Sequence, residues 1–246
     1  MFELRVYPDT SLLMRAAAER FVSLYETVSA RQGHFSVALA GGSTPQALYR
    51  LLAEEMFSRY IDWSQVHFFW GDERGVPPDH GDSNYRMARL ALLDQVNVPG
   101  GNIHRIHAEK DPFQAADEYE AELYQFFKGR GDQVRLDLVL LGMGDDGHTA
   151  SLFPGTAALE ETERLVVANE VPQLETWRIT LTPPVLNAAR NVLFLVSGAA
   201  KAETLHAVME GGYRPHELPV QLIEPPEGQM AWLVDEAAGK LLSRKG

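Results

Sequence analysis

The chain has 246 residues, 45% hydrophobic and 23% charged, with 22 Lys and Arg against 34 Asp and Glu for a net charge of -12. This is ordinary globular composition and excludes a disordered chain, while the acidic field argues against nucleic acid or an anionic membrane as partner. The lack of cysteine excludes disulfides, thiolate catalysis and Cys-based zinc sites, and it suits a reducing compartment.

Met1 to Leu13 carries Glu3, Arg5 and Asp9 among its apolar residues, unlike the unbroken apolar core of a signal peptide, and Val192 to Val196 is too short to span a bilayer. The expected location is therefore the cytoplasm. There is no internal repeat, and the stretches near Gly100, Gly129 and Gly211 read as loops. The expectation is a single domain over residues 1–246.

Short β-branched or aromatic runs alternate with segments of helical period, which predicts an α/β fold: a mostly parallel sheet with helices on both faces. The first strand is expected over Glu3 to Tyr7. A helix follows from a cap among Asp9, Thr10 and Ser11, with Leu12, Ala16, Phe21 and Leu24 turned to the core.

A second strand, Phe35 to Ala40, leads into Gly41-Gly42-Ser43-Thr44-Pro45 and a helix from Pro45 to Ala53. Thr44 as cap, Pro45 in the first turn and glycines that admit a ligand to backbone N–H groups describe a phosphate cradle at a helix N-terminus. A well-capped strand-to-helix turn is the other reading. The third strand, Val66 to Trp70, ends in Gly71-Asp72-Glu73-Arg74. Ligands of open α/β sheets bind beyond the carboxyl ends of the strands, so a carboxylate here can orient a sugar hydroxyl or a proton relay and Arg74 can take a phosphate bidentately. An exposed charged turn would look the same.

Helices are expected over Tyr85 to Leu93 and Pro112 to Phe127, then a strand from Leu136 to Leu141. The following loop, Gly142-Met143-Gly144-Asp145-Asp146-Gly147-His148, fits the Gly-x-Gly-x-x-Gly pattern of dinucleotide sites. Asp145 and Asp146 would repel a pyrophosphate and Pro154 interrupts any long helix, so no nicotinamide or flavin cofactor is expected. The better reading places Asp146 and His148 in a common pocket, with the imidazole as general base and a carboxylate orienting it. A capping histidine in a Gly-rich turn is the bland alternative.

A helix over Pro184 to Ala189 and a strand over Val192 to Val196 lead to Ser197-Gly198-Ala199-Ala200-Lys201, at the start of a helix from Ala200 to Met209. A cation there opposes the helix dipole, which points to an anionic partner for Lys201. Arg178 is a second candidate for phosphate contact, or an exposed strand arginine. A strand from Ala231 to Val234 and a helix from Glu236 to Leu242 complete the chain. His104 and His107 have a metal-like spacing, but with no convergent acidic or Cys partner no metal is expected.

Gly41 to Pro45, Trp70 to Arg74, Asp82-Ser83-Asn84-Tyr85, Gly142 to Pro154, Arg178-Ile179-Thr180 and Gly198 to Lys201 together resemble the 6-phosphogluconolactonase family, in order over nearly the whole chain. The resemblance implies a Rossmann-like fold, no cofactor, and hydrolysis of 6-phospho-D-glucono-1,5-lactone in the oxidative pentose phosphate pathway. On that reading His148 is the base, Asp146 or Asp72 orients it, and Gly42, Ser43, Thr44, Arg74, Arg178 and Lys201 bind substrate. The partner is a small phosphorylated lactone, and the oligomeric state stays open, a monomer being compatible.

The related glucosamine-6-phosphate deaminases place a relay Glu before the proline that follows this histidine, where this chain has Phe153, and usually a tyrosine where it has Arg74. Deaminase-like isomerisation and a non-catalytic sugar-phosphate sensor are the alternatives.

Overall fold

The computed structural model describes residues 2–130 and 133–243. Strands and helices alternate as β1 (Phe2–Tyr7), α1 (Thr10–Gln32), β2 (Phe35–Leu39), α2 (Ser43–Ala53), α3 (Glu55–Ser58), β3 (Val66–Trp70), β4 (Asp72–Arg74), α4 (Asn84–Ala88), α5 (Pro112–Phe127), β5 (Leu138–Leu141), β6 (Val166–Val171), β7 (Thr176–Leu181), α6 (Pro183–Ala188), β8 (Asn191–Val196), α7 (Ala202–Glu210) and β9 (Gln229–Asp235). Six strands make a parallel sheet in the order β1-β9-β8-β5-β2-β3, and β4-β7-β6 make a small antiparallel one.

β2 and β5 are buried at every position, as happens when both faces of a parallel sheet are covered. On one side of β2 the chain runs outward to β3; on the other it returns through β5. That reversal is a topological switch point, and a crevice opens where the β2 and β5 loops part at the carboxyl ends of the strands.

The Asp9 carboxylate accepts the Leu12 N–H at 2.9 Å to cap α1, and Gly33, at φ 73°, ends it. Of the expected inward residues Phe21 is fully buried, Ala16 and Leu24 pack partly buried against the core, and only Leu12, 45% exposed, turns outward. Leu13, Met14, Ala17, Ala18 and Tyr25 complete the buried face. Phe21 meets Phe35 edge-on at 5.5 Å, and its burial contributes roughly 1.5–3 kcal/mol. That contact, near the helix centre, fixes the rotation of α1 against the sheet. Two further expectations are corrected. Glu236 to Leu242 forms turns instead of a helix; the Asp235 carboxylate accepts the Ala238 N–H, and a Cβ at Gly239 would lie 3.3 Å from Val6 Cγ1. The expected helix over Tyr85 to Leu93 divides into α4 and a π-helical turn, Arg89–Leu93.

Two buried tyrosines fasten the strand ends beneath the crevice. Tyr49 on α2 accepts the Ala40 N–H at 2.9 Å and donates to the Ala40 carbonyl at 2.8 Å. Tyr119 on α5 does the same for Trp70, at 2.7 and 3.0 Å. Each phenol supplies the donor and acceptor that a next strand residue would have supplied.

Candidate active site

The β2 loop turns at Gly42, φ 99°, and α2 begins at Ser43 with no side-chain cap. Thr44 is not the cap: its hydroxyl pairs with Ser197 Oγ at 2.8 Å, tying this loop to the one after β8. The first-turn N–H groups of α2 therefore face outward without a side-chain acceptor, the arrangement that attracts anions. A Cβ at Gly41 would lie 2.0 Å from Asn84 Oδ1, so any side chain there would have to displace the buried Asn84 amide.

The Asp72-Glu73-Arg74 triplet divides by role along β4. Glu73 is buried and accepts N–H groups of Arg74, Asn84 and Tyr85 at 2.7–2.9 Å and the Ser83 hydroxyl at 3.0 Å. Burial raises its pKa against the lowering effect of those N–H bonds, and its work is to cap α4. Asp72, also buried, accepts from Ser151 Oγ at 2.7 Å and Asn84 Nδ2 at 3.2 Å. Arg74 stands directly opposite Arg178 in the β4–β7 ladder. Like charges in register oppose pairing. Burial, and then the charge of Arg74, depress the Arg178 pKa, and both Nε atoms are buried without partners among the described residues.

In the β5 loop, Thr149 Oγ1 donates to the Gly142 carbonyl at 2.8 Å, and Gly144 N–H donates to the His148 carbonyl at 2.8 Å. This tight turn brings Asp146 Oδ1 to 2.5 Å from His148 Nδ1, and the same oxygen accepts the His148 N–H at 3.1 Å. Burial pushes the Asp146 carboxyl up, but the hydrogen bond and charge of His148 prevail and hold it below its ordinary value. It is thus ionised at neutral pH, and any stabilisation from the pair is lost only as pH falls through that lowered value. With Nδ1 committed to Asp146, Nε2 is the nitrogen left to accept a proton, an assignment from the hydrogen-bond network. Phe153 stacks on the imidazole at 4.1 Å.

Two abutting cavities meet at this histidine. One of about 210 Å³ is lined by Gly41, Gly42, Gly144 and Lys201. The other, about 480 Å³, is lined by Ser151, Phe153, Leu174 and Arg178. Asp72, Arg74, His148 and Ala150 border both. Loops from β2, β3 and β5, the β8-to-α7 turn and the antiparallel sheet thus converge on one crevice.

Residues 8–232 match the family model described as glucosamine-6-phosphate isomerases/6-phosphogluconolactonase. A 6-phosphogluconolactonase of Synechocystis sp. is 47% identical over 216 residues, 87% of each chain. One from Nostoc sp. is 42% identical over 240 residues, 97% of each chain. The solved structure of 6-phosphogluconolactonase from Trypanosoma cruzi superposes with a TM-score of 0.87 at 30% identity, covering 99% of this chain and 98% of the other. The chain belongs to the 6-phosphogluconolactonase family.

In this 6-phosphogluconolactonase family member Gly42, Asp72, Arg74, His148 and Lys201 line one cavity, while Asp146 and Arg178 line the other. Ser43 and Thr44, in the first turn of α2 just after Gly42, line neither cavity. Asn84 and Ser151, the partners of Asp72, lie in two of the segments that carry the resemblance, Asp82 to Tyr85 and Gly142 to Pro154, but sequence reading gave neither a role. His104 does have an acidic partner, Glu122 on α5, at 2.7 Å, which corrects the expectation of none. Among the described residues no group of three or more His, Asp or Glu side chains is arranged to hold a metal ion, and no helix is long and apolar enough to cross a membrane.

Proposed function

We propose that residues 1–246 act as one domain that hydrolyses 6-phospho-D-glucono-1,5-lactone to 6-phospho-D-gluconate, with His148 Nε2 as general base. The observation that carries the proposal is the 2.5 Å contact between Asp146 and His148 Nδ1 at the junction of two cavities flanked by Arg74, Arg178 and Lys201.

In this mechanism the phosphate sits at the uncapped first turn of α2, held by Gly42, Ser43, Thr44, Arg74 and Lys201, with Arg178 reinforcing the charge of Arg74. Charge-assisted contacts of this kind contribute roughly 1.5–3 kcal/mol each. Anchored there, the lactone presents C1 to a water bound at Nε2. The water oxygen bonds to C1 as its proton passes to Nε2, and the carbonyl becomes an alkoxide stabilised by backbone N–H groups or a guanidinium. The alkoxide collapses, the C1 to ring-oxygen bond breaks, and the departing oxygen takes a proton back from the imidazolium. Asp146 supports the positive charge on the ring, and Asp72, bound to Ser151 and Asn84, forms the polar wall beside it.

Phe153 bears on the alternative chemistry: a phenyl ring cannot relay the proton that isomerisation requires. Ammonia release from glucosamine 6-phosphate is expected to be absent. The deciding measurement is a coupled assay that generates the lactone in situ. His148→Ala should lower kcat about 10²–10⁴-fold, while Arg74→Ala should chiefly raise KM. A folded His148→Ala variant with full activity would sink the proposal.

A further inference from the structure

Lys201 lies at the N-terminal end of α7, where a cation opposes the helix dipole. An anion is needed there, and the molecule supplies one from the catalytic loop. Asp145 Oδ1 lies 2.6 Å from Lys201 Nζ. The two residues line different cavities, Lys201 the one beside Gly42 and Asp145 the one beside Arg178. Their ion pair therefore spans the rim between the halves of the site.

The two ends of this contact differ in exposure. The Asp145 side chain is 69% exposed, the Lys201 side chain only 26%. The Asp145 carbonyl, in contrast, accepts the Thr204 hydroxyl, which fixes the loop backbone to α7. The carboxylate can therefore swing away from Lys201 without moving the backbone that carries Asp146 and His148. A phosphate dianion brings twice the charge of a carboxylate and three acceptor oxygens, so it is the stronger partner for the same ammonium.

From this geometry we infer that Asp145 is a specificity-determining residue: its carboxylate stands in for the ligand's phosphate on Lys201 and yields only to a dianion. The empty site is then locally neutral at Lys201, and weak monoanions gain little by entering. A phosphorylated ligand exchanges one ion pair for a better one. The inference rests on the phosphate position proposed above, though not on the chemistry at His148.

The test is a calorimetric titration of inorganic phosphate at pH 8, where it is dianionic, into the full-length wild type, Asp145→Asn, Lys201→Ala and the double variant. Because partly exposed ion pairs are weak, Asp145→Asn should tighten phosphate by roughly two- to five-fold. Lys201→Ala should weaken it, and Asp145→Asn should change nothing further in the Lys201→Ala background. Unchanged or weaker binding in Asp145→Asn overturns the inference, as does equal tightening in both backgrounds, which would mean a general field effect. So does failure of all four proteins to bind phosphate. If the coupling appears in a protein that does not hydrolyse the lactone, the inference stands and the proposed function falls.

Discussion

Asp146 holds Nδ1 of His148 and Phe153 covers a face of its ring, so the freedom left to the imidazole depends on Gly144, where a Cβ would lie 2.1 Å from Nδ1 and 2.5 Å from Asp146 Oδ1. Close approach of backbone to the pair is the reason for glycine here, independent of any phosphate role for a Gly-rich loop. Gly144→Ala should force the ring or the carboxylate aside and lower kcat/KM by about 10²-fold, with an unchanged far-ultraviolet circular dichroism spectrum as the check on folding. The Asp146–His148 pair was legible in the sequence because both residues share one turn. The partners of Asp72 were not, since Ser151 is 79 positions away and Asn84 is 12. No local pattern encodes such a meeting.

At the scale of elements, the parallel strands were readable because most are short apolar runs, buried throughout in β2 and β5. The edge strand β1, with no buried residue, was readable from its β-branched and aromatic end at Val6 and Tyr7. β4, β6 and β7 were missed. They carry charged or polar residues such as Glu73, Asn169 and Arg178 in a small sheet, and antiparallel pairing, not an apolar run, defines them. The edge strand β3 carries a second histidine environment. His67 Nδ1 lies 3.1 Å from His104 Nε2, with Glu122 beyond and His34, Phe126 and Arg130 close by. Burial, and then the charges of His104, His34 and Arg130, push the His67 pKa down to about 4. Between roughly pH 6.5 and 4 the unfolded chain binds a proton that folded His67 refuses, so stability falls as pH drops through that window. Discounted for partial exposure, the loss is about 1–2 kcal/mol. This corresponds to roughly 3–6 °C in Tm. His67→Phe should flatten that part of the Tm-against-pH curve, and an equally steep curve would count against the assignment.

Across the whole molecule, sheet order decides where the crevice opens. The Gly-rich loops after β2 and β5 were each visible as motifs, but their adjacency was not, because about a hundred residues separate the two strands and only the reversal beside β2 makes them neighbours. The same order places β1 at an edge, paired with β9 alone. During synthesis on the ribosome, the first strand of the chain must therefore wait for the last before it finds a hydrogen-bonding partner. Until then both its sides, and the apolar strand β8 that β9 also covers, are open to other chains. Truncation after Gly228 should accordingly abolish soluble expression even though it leaves His148, Arg74 and Lys201 in place, and the fraction recovered in the pellet measures it. A ribosome that stalls late, with every residue of the crevice already made, would hold a chain prone to aggregate, and newly made molecules would depend on chaperones most heavily in the final seconds of translation.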